Sequence, residues 1–124
     1  MTDRDPNVWI QFALDDLAWA KHTSQGGFFS RTCFAAQQAA EKALKAYLLE
    51  RTRDYPQLIS LLSLAVELDA RFAQLKPDCD VLDEYYLPSR YPLVRPSRTF
   101  ELEDAQDAIE RASRIVSFVR ARLA

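Results

Sequence analysis

A chain of 124 residues, 48% hydrophobic and 27% charged, can bury roughly two-thirds of its unfolded surface, so it is expected to fold on its own core without disulfides or metal. Its net charge of −2 excludes a uniformly basic nucleic-acid coat. With only 2 glycines it has little material for hairpins or phosphate-cradling loops, which points to one all-α domain over residues 1–124.

The first residues, Met1-Thr2-Asp3-Arg4-Asp5-Pro6, lack the basic start and apolar run of a signal peptide. No apolar stretch reaches the ~20 residues needed to span a bilayer, so a cytoplasmic location is expected. Asp5 as N-cap and Pro6 at the first helical position open a first helix running to about Thr23. Trp9, Ile10, Ala13, Leu14, Leu17 and Ala20 form its stripe, Trp9 and Phe12 are expected in the core, and Gly26-Gly27 ends it. The second helix, about Phe28 to Arg51, is the longest. Thr32, Cys33, Ala36, Ala40, Ala43, Leu44 and Tyr47 share one side, and Arg31, Gln38, Lys42 and Lys45 the other. An alanine-rich packing face suits a central helix approached closely by its neighbours, while the charged side reads most simply as a solvated face.

Pro56 starts a third helix, with Leu58, Leu61, Leu62, Ala65 and Leu68 on one stripe through about Phe72. Pro77-Asp78 then reads as the turn and cap of a short fourth helix ending before Pro88. Between Pro88 and Thr99 three prolines prevent regular helix, and Arg90, Arg95 and Arg98 appear with no acid among them. The closing helix begins near Glu101, with acids in its first turn, Arg120 and Arg122 at its end, and Leu102, Ala105, Ile109, Ala112, Val116, Val119 and Leu123 as its stripe.

Residue types remove most catalytic classes. The only histidine is His22, so there is no Glu-x-x-His pair for a di-metal bundle and no zinc ligand set. Asp78, Asp80, Asp83 and Glu84 lack calcium-loop spacing and read as helix-start charges. No glycine-rich phosphate loop is present, and no cofactor or metal is expected. Cys33 and Cys79 show no repeated spacing and read as reduced structural thiols. The arginine segment flanked by Tyr85, Tyr86 and Tyr91 remains. Forked guanidinium donors suit phosphate and tyrosine faces suit base stacking, as a nucleotide or single-stranded RNA requires. Equally, the tyrosines fit a core, and Arg90 could be pinned to Asp16 or Glu41.

Trp9, Ala13, Asp16-Leu17 and Ala20, then Phe34, Gln38 and Glu41-Lys42-Ala43-Leu44-Lys45-Ala46, then Arg90-Tyr91-Pro92 after a tyrosine pair, and Ala105 and Ala112 occur in an order and spacing that resembles the HEPN family, the higher eukaryotes and prokaryotes nucleotide-binding domain. The resemblance covers nearly the whole chain. It implies an antiparallel up-and-down bundle of four long helices plus one short helix. It also implies a homodimer whose two arginine loops face a shared cleft, and nucleotide or RNA ligands. Many members act with a minimal nucleotidyltransferase as toxin and antitoxin, the HEPN protein being a metal-independent ribonuclease that uses an Arg and, after four to six intervening residues, a His. Counting from Arg90, those positions hold Arg95, Pro96 and Ser97. Arginine, with a pKa above ~12, is a poor acceptor for the 2′-hydroxyl proton.

The expectation is therefore a nucleotide- or RNA-binding module in which Arg90 and Arg95 hold phosphate, Tyr91 shapes the loop or stacks, and Lys42 and Lys45 extend the basic face. The enzyme alternative is a ribonuclease using Arg90 with His22 or a tyrosine as substitute base. The structural alternative is a dimer in which Asp16 or Glu41 pairs with Arg90.

Overall fold

The computed structural model describes residues 5–52, 61–90 and 99–123, with the backbone path alone at 86–90. Among these residues are helices α1 (Pro6–Gln25), α2 (Phe29–Thr52), α3 (Leu61–Leu68), a 3-10 helix (Ala70–Leu75), α4 (Lys76–Arg90) and α5 (Leu102–Arg120). This is the all-α bundle of four long helices with one short α-helix that the sequence implied.

The start of α1 follows its sequence signals. Asp5 accepts the backbone N–H of Asn7 at 2.9 Å, and Pro6 occupies the first turn, where a missing N–H costs nothing. At the other end Gly27 adopts φ +84°, its N–H donates to Ser24 O, and the N–H of Phe28 donates to Thr23 O. That pair of bonds is a Schellman stop, which needs a residue at ease in the left-handed region. Only Phe28 separates the turn from α2. The elbow is closed inside by Thr23 and Thr32, whose buried hydroxyls lie 2.9 Å apart.

Lys42 reaches Asp16 at 2.6 Å while Thr32 meets Thr23, so α1 and α2 run antiparallel. Asp78 meets Arg111 and Arg114 while Tyr85 meets Asp107, so α4 and α5 are antiparallel as well. Arg51 donates to Arg122 O at 2.9 Å, which brings the C-terminal ends of α2 and α5 together. The C-termini of α1 and α4 therefore share one end of the bundle with the N-termini of α2 and α5.

α2 is buried further round than a two-faced helix. Ala35, Gln37, Ala39, Ala46, Leu48 and Leu49 are buried in addition to the expected Thr32, Cys33, Ala36, Ala40, Ala43, Leu44 and Tyr47. It packs against α1, α3, α4 and α5, and its small side chains allow this close approach on several sides. Toward its C-terminal end larger rings take over: Tyr47 lies 4.3 Å from Phe72, which meets Phe118 edge-on at 4.9 Å.

Four expectations need correction. Phe12 is 45% exposed; α1 turns its Ile10, Ala13, Leu17 and Ala20 stripe inward and leaves Trp9 only partly buried at the margin. The third helix does not run through to Phe72. It stops at Leu68, because Asp69 is extended at φ −151° and caps the following 3-10 turn by accepting from Arg71 N. The expected start at Pro56 and the stripe residue Leu58 lie outside the described residues. α4 continues through Pro88 to Arg90; the bond that proline cannot donate is lost two residues from the helix end, so little further helix depends on it. Finally, Leu102 is 47% exposed, and the α5 stripe is Ala105, Ala108, Ala112, Ile115, Val116 and Val119.

Candidate functional site

The segment expected to carry function is bounded by the end of α4 and the start of α5. Arg90 is the last residue of α4. Tyr91 and Arg95 lie outside the described residues, as does the side chain of Arg90.

Both roots of the segment are well anchored. Tyr85, five residues before Arg90, is buried; its hydroxyl bonds Asp107 Oδ2 at 3.1 Å, and its ring meets Phe100 edge-on at 6.0 Å. Burial, together with the carboxylate partner, pushes its phenol pKa upward, so Tyr85 stays protonated and donates. Phe100 leads directly into the α5 cap, where the backbone N–H of Glu101 donates to Asp104 Oδ2 at 2.9 Å. The end of α4 and the residues entering α5 are thus fastened side by side.

A polar chain continues away from this anchor. Asp107 also accepts from Arg111 Nε at 2.9 Å; Arg111 donates onward to Asp78 at 3.0 Å, and Arg114 grips both oxygens of Asp78 at 2.9 and 3.2 Å. Asp78 is buried, so its role is larger than the helix-start charge expected of it: it ties α4 to α5. The sequence signal was the Arg111 and Arg114 pair, three residues apart on one face of an otherwise regular helix.

The other expected site residues lie on the α1–α2 face. Asp16 is engaged by Lys42 at 2.6 Å, and Glu41 lies 3.4 Å from Lys45. Lys45 also stands over the Trp9 ring at 5.4 Å. The two carboxylates considered for Arg90 therefore each have a lysine neighbour. Arg31 is exposed, and Gln38 donates to Gln37 at 2.8 Å.

A cleft of about 400 Å³ opens between α2, α3 and α4, with Leu44, Leu61, Val66 and Leu82 in its walls and Glu41, Asp80 and Asp83 facing Lys76 among its polar residues. Three carboxylates against one ammonium make it a poor seat for phosphate. Burial raises the Asp83 pKa, with the 3.5 Å hydrogen bond from Gln37 opposing the rise. Burial, reinforced by the neighbouring Asp83 and Asp78, pushes the Cys79 thiol up to about 12, so it is no nucleophile at neutral pH. Neither Cys33 nor Cys79 is in a disulfide. No helix among the described residues is long and apolar enough to cross a membrane.

The family model for the HEPN domain matches residues 7–122. Among solved structures, TT1696 from Thermus thermophilus is similar, with 33% identity, a TM-score of 0.83, and coverage of 95% of this chain and 98% of that one. ST0689, an archaeal HEPN homologue, is 29% identical with a TM-score of 0.75, over 95% and 97% of the two chains. No curated protein matches.

Proposed function

The chain belongs to the HEPN family, and on that premise we propose that it is a nucleotide- or RNA-binding module, homodimeric, working with a minimal nucleotidyltransferase partner as one half of a toxin–antitoxin pair. Arg90 and Arg95 hold phosphate, and Tyr91 shapes the loop or stacks on a base. One observation carries this reading: the Tyr85 anchor onto Asp107 and Phe100 fastens the helix that ends in Arg90, so a guanidinium at that terminus starts from a fixed base. Such preorganisation favours binding, because less freedom is lost when phosphate is engaged. Arg95, Pro96 and Ser97 occupy the positions where the family's ribonucleases carry their His, which favours binding over cleavage. Arg90→Glu is expected to abolish binding of a labelled single-stranded RNA, read by fluorescence anisotropy, while the helical circular dichroism stays intact. Retained affinity would overturn the assignment of Arg90.

A second reading, a metal-independent ribonuclease, gains support from the shared end of the bundle at which α1 and α4 both finish. His22 and Arg90 stand near those two ends despite their separation in sequence. Two copies sharing a cleft would bring two such pairs together. Cleavage of labelled single-stranded RNA in chelator, lost in both Arg90→Ala and His22→Ala, would establish this reading. Absence of cleavage by the wild-type protein would leave the binding module.

A further inference from the structure

The α1–α2 elbow shows an excess of exposed aromatic surface. Phe12 and Trp19 stand one heptad apart on the outer edge of α1, 45% and 56% exposed, and Phe28 at the turn is 64% exposed. These rings have defined neighbours. His22 stacks on Trp19 at 5.6 Å with 27° between the planes, leaving the indole backed on one side. The Phe28 ring lies over Gly26, where an added Cβ would come within 3.0 Å of it. Large exposed rings held in place mark an interaction surface more often than chance, since each would gain by burial.

The charge around them distinguishes one kind of occupant. The chain holds 18 acidic residues, yet none falls between Asp16 and Glu41, a stretch that includes Lys21, His22 and Arg31. Lys21 and Arg31 are exposed and have no carboxylate partner among the described residues. Of the acids bordering this surface, Asp16 is paired with Lys42 and Glu41 with Lys45, while Asp15, one turn before Trp19, accepts only the neutral amide of Gln11 at 3.3 Å and keeps its charge. From Leu17 to Ala40 the elbow thus carries cations and exposed rings without an acid, Arg31 one turn beyond Phe28 and Lys21 on the flank of α1 away from Trp19, on a protein that is acidic as a whole. Exposed aromatic faces and exposed cations on one elbow match single-stranded nucleic acid, which supplies flat bases and a phosphate backbone together.

We propose that the α1–α2 elbow is a stacking platform for single-stranded RNA, with bases on Trp19 and Phe28 and phosphates at Lys21 and Arg31. This rests on the reading of the chain as an RNA-binding module and adds to it a contact surface separate from the arginine segment. An RNA strand held at the end of α4 can also cross the elbow, because α1 and α4 finish at the same end of the bundle.

The two tryptophans of the chain are Trp9 and Trp19, so Trp9→Phe leaves Trp19 as the only indole. In that full-length variant, titration with oligouridylate is expected to quench Trp19 emission. The apparent affinity should fall about sevenfold between 50 and 200 mM salt if two phosphates are engaged. Phe28→Ala in the same background should weaken binding about tenfold, a loss typical of one stacked base. RNA binding by anisotropy with no Trp19 quenching would overturn the elbow and leave the Arg90 reading standing. Quenching in Arg90→Glu at an affinity equal to wild type would keep the elbow and overturn the role of Arg90. No RNA binding by the wild type would overturn both. If Trp19→Asp instead halves the mass in sedimentation and leaves RNA affinity unchanged, the platform is overturned and the face belongs to self-association.

Discussion

Asp78 and Arg114 are joined by a two-pronged contact, Nη2 donating to one carboxylate oxygen at 2.9 Å and Nε to the other at 3.2 Å. Arg111, about one turn earlier on the same face of α5, donates to the same carboxylate at 3.0 Å. The three residues are unequal. Asp78 is buried, whereas the Arg111 and Arg114 side chains are 24% and 48% exposed. Asp78→Ala should therefore cost about 2 to 3 kcal/mol of stability by removing the acceptor of both arginines, short of the larger loss seen when a fully buried charge is stranded. Arg114→Ala should cost less than about 1 kcal/mol, because Arg111 still serves Asp78. Urea unfolding of the two variants checks the ranking, and equal losses would contradict it.

Asp83 supplies a pH test with a definite sign. Burial raises its folded-state pKa above the ordinary 3.8, which means its ionised form is penalised in the folded protein. Its contribution therefore worsens as pH rises from the ordinary carboxylate value through the raised folded value, and it stays unfavourable above that. Asp83→Asn should raise the Tm at pH 7. The gain should vanish below about pH 3.8, where both states of the wild type hold the proton. A gain of the same size at pH 3 would show that charge was not the cause.

Helix boundaries were legible at three places where a cap or stop has a chemical signature, though not at Pro88, which α4 runs past. Asp5-Pro6, Gly26-Gly27 and Glu101 with Asp104 mark the ends of α1 and the start of α5 to within a residue or two. Asp69 was not legible as a break, because the apolar spacing on either side of it continues a helical pattern and only its extended backbone and bond from Arg71 N reveal the 3-10 turn. Phe12 misled because it was weighed by size and hydrophobicity, whereas the helical period puts it off the Ile10, Ala13, Leu17 and Ala20 stripe, on the edge it shares with exposed Trp19. At the candidate site, Arg90 stood out by residue type, but the tie from Tyr85 to Asp107 joins residues 22 positions apart, and no local pattern announces it.

Gly27 isolates a backbone effect. Its φ of +84° lies in the left-handed region, and a Cβ built there meets nothing within 4 Å. Gly27→Ala should thus cost about 1 kcal/mol through conformation alone, without steric displacement of the elbow. Gly27→Asn should cost less, since asparagine tolerates that region better. Thermal unfolding of the pair checks this, and an alanine variant as stable as wild type would mean that the turn relaxes to another stop.

Tyr85→Phe separates the anchor from the ligand. The substitution keeps the ring against Phe100 and removes the hydroxyl that bonds Asp107, while Asp107 retains Arg111 at 2.9 Å. Because no charge is stranded, the stability loss should be only about 1 kcal/mol. If the anchor matters chiefly by fixing the base from which Arg90 reaches phosphate, RNA affinity should fall several-fold at a temperature where the variant remains fully folded, and the loss should be absent when the comparison is repeated in the Arg90→Ala background. Additive losses in that double-mutant cycle would mean that Tyr85 and Arg90 act independently.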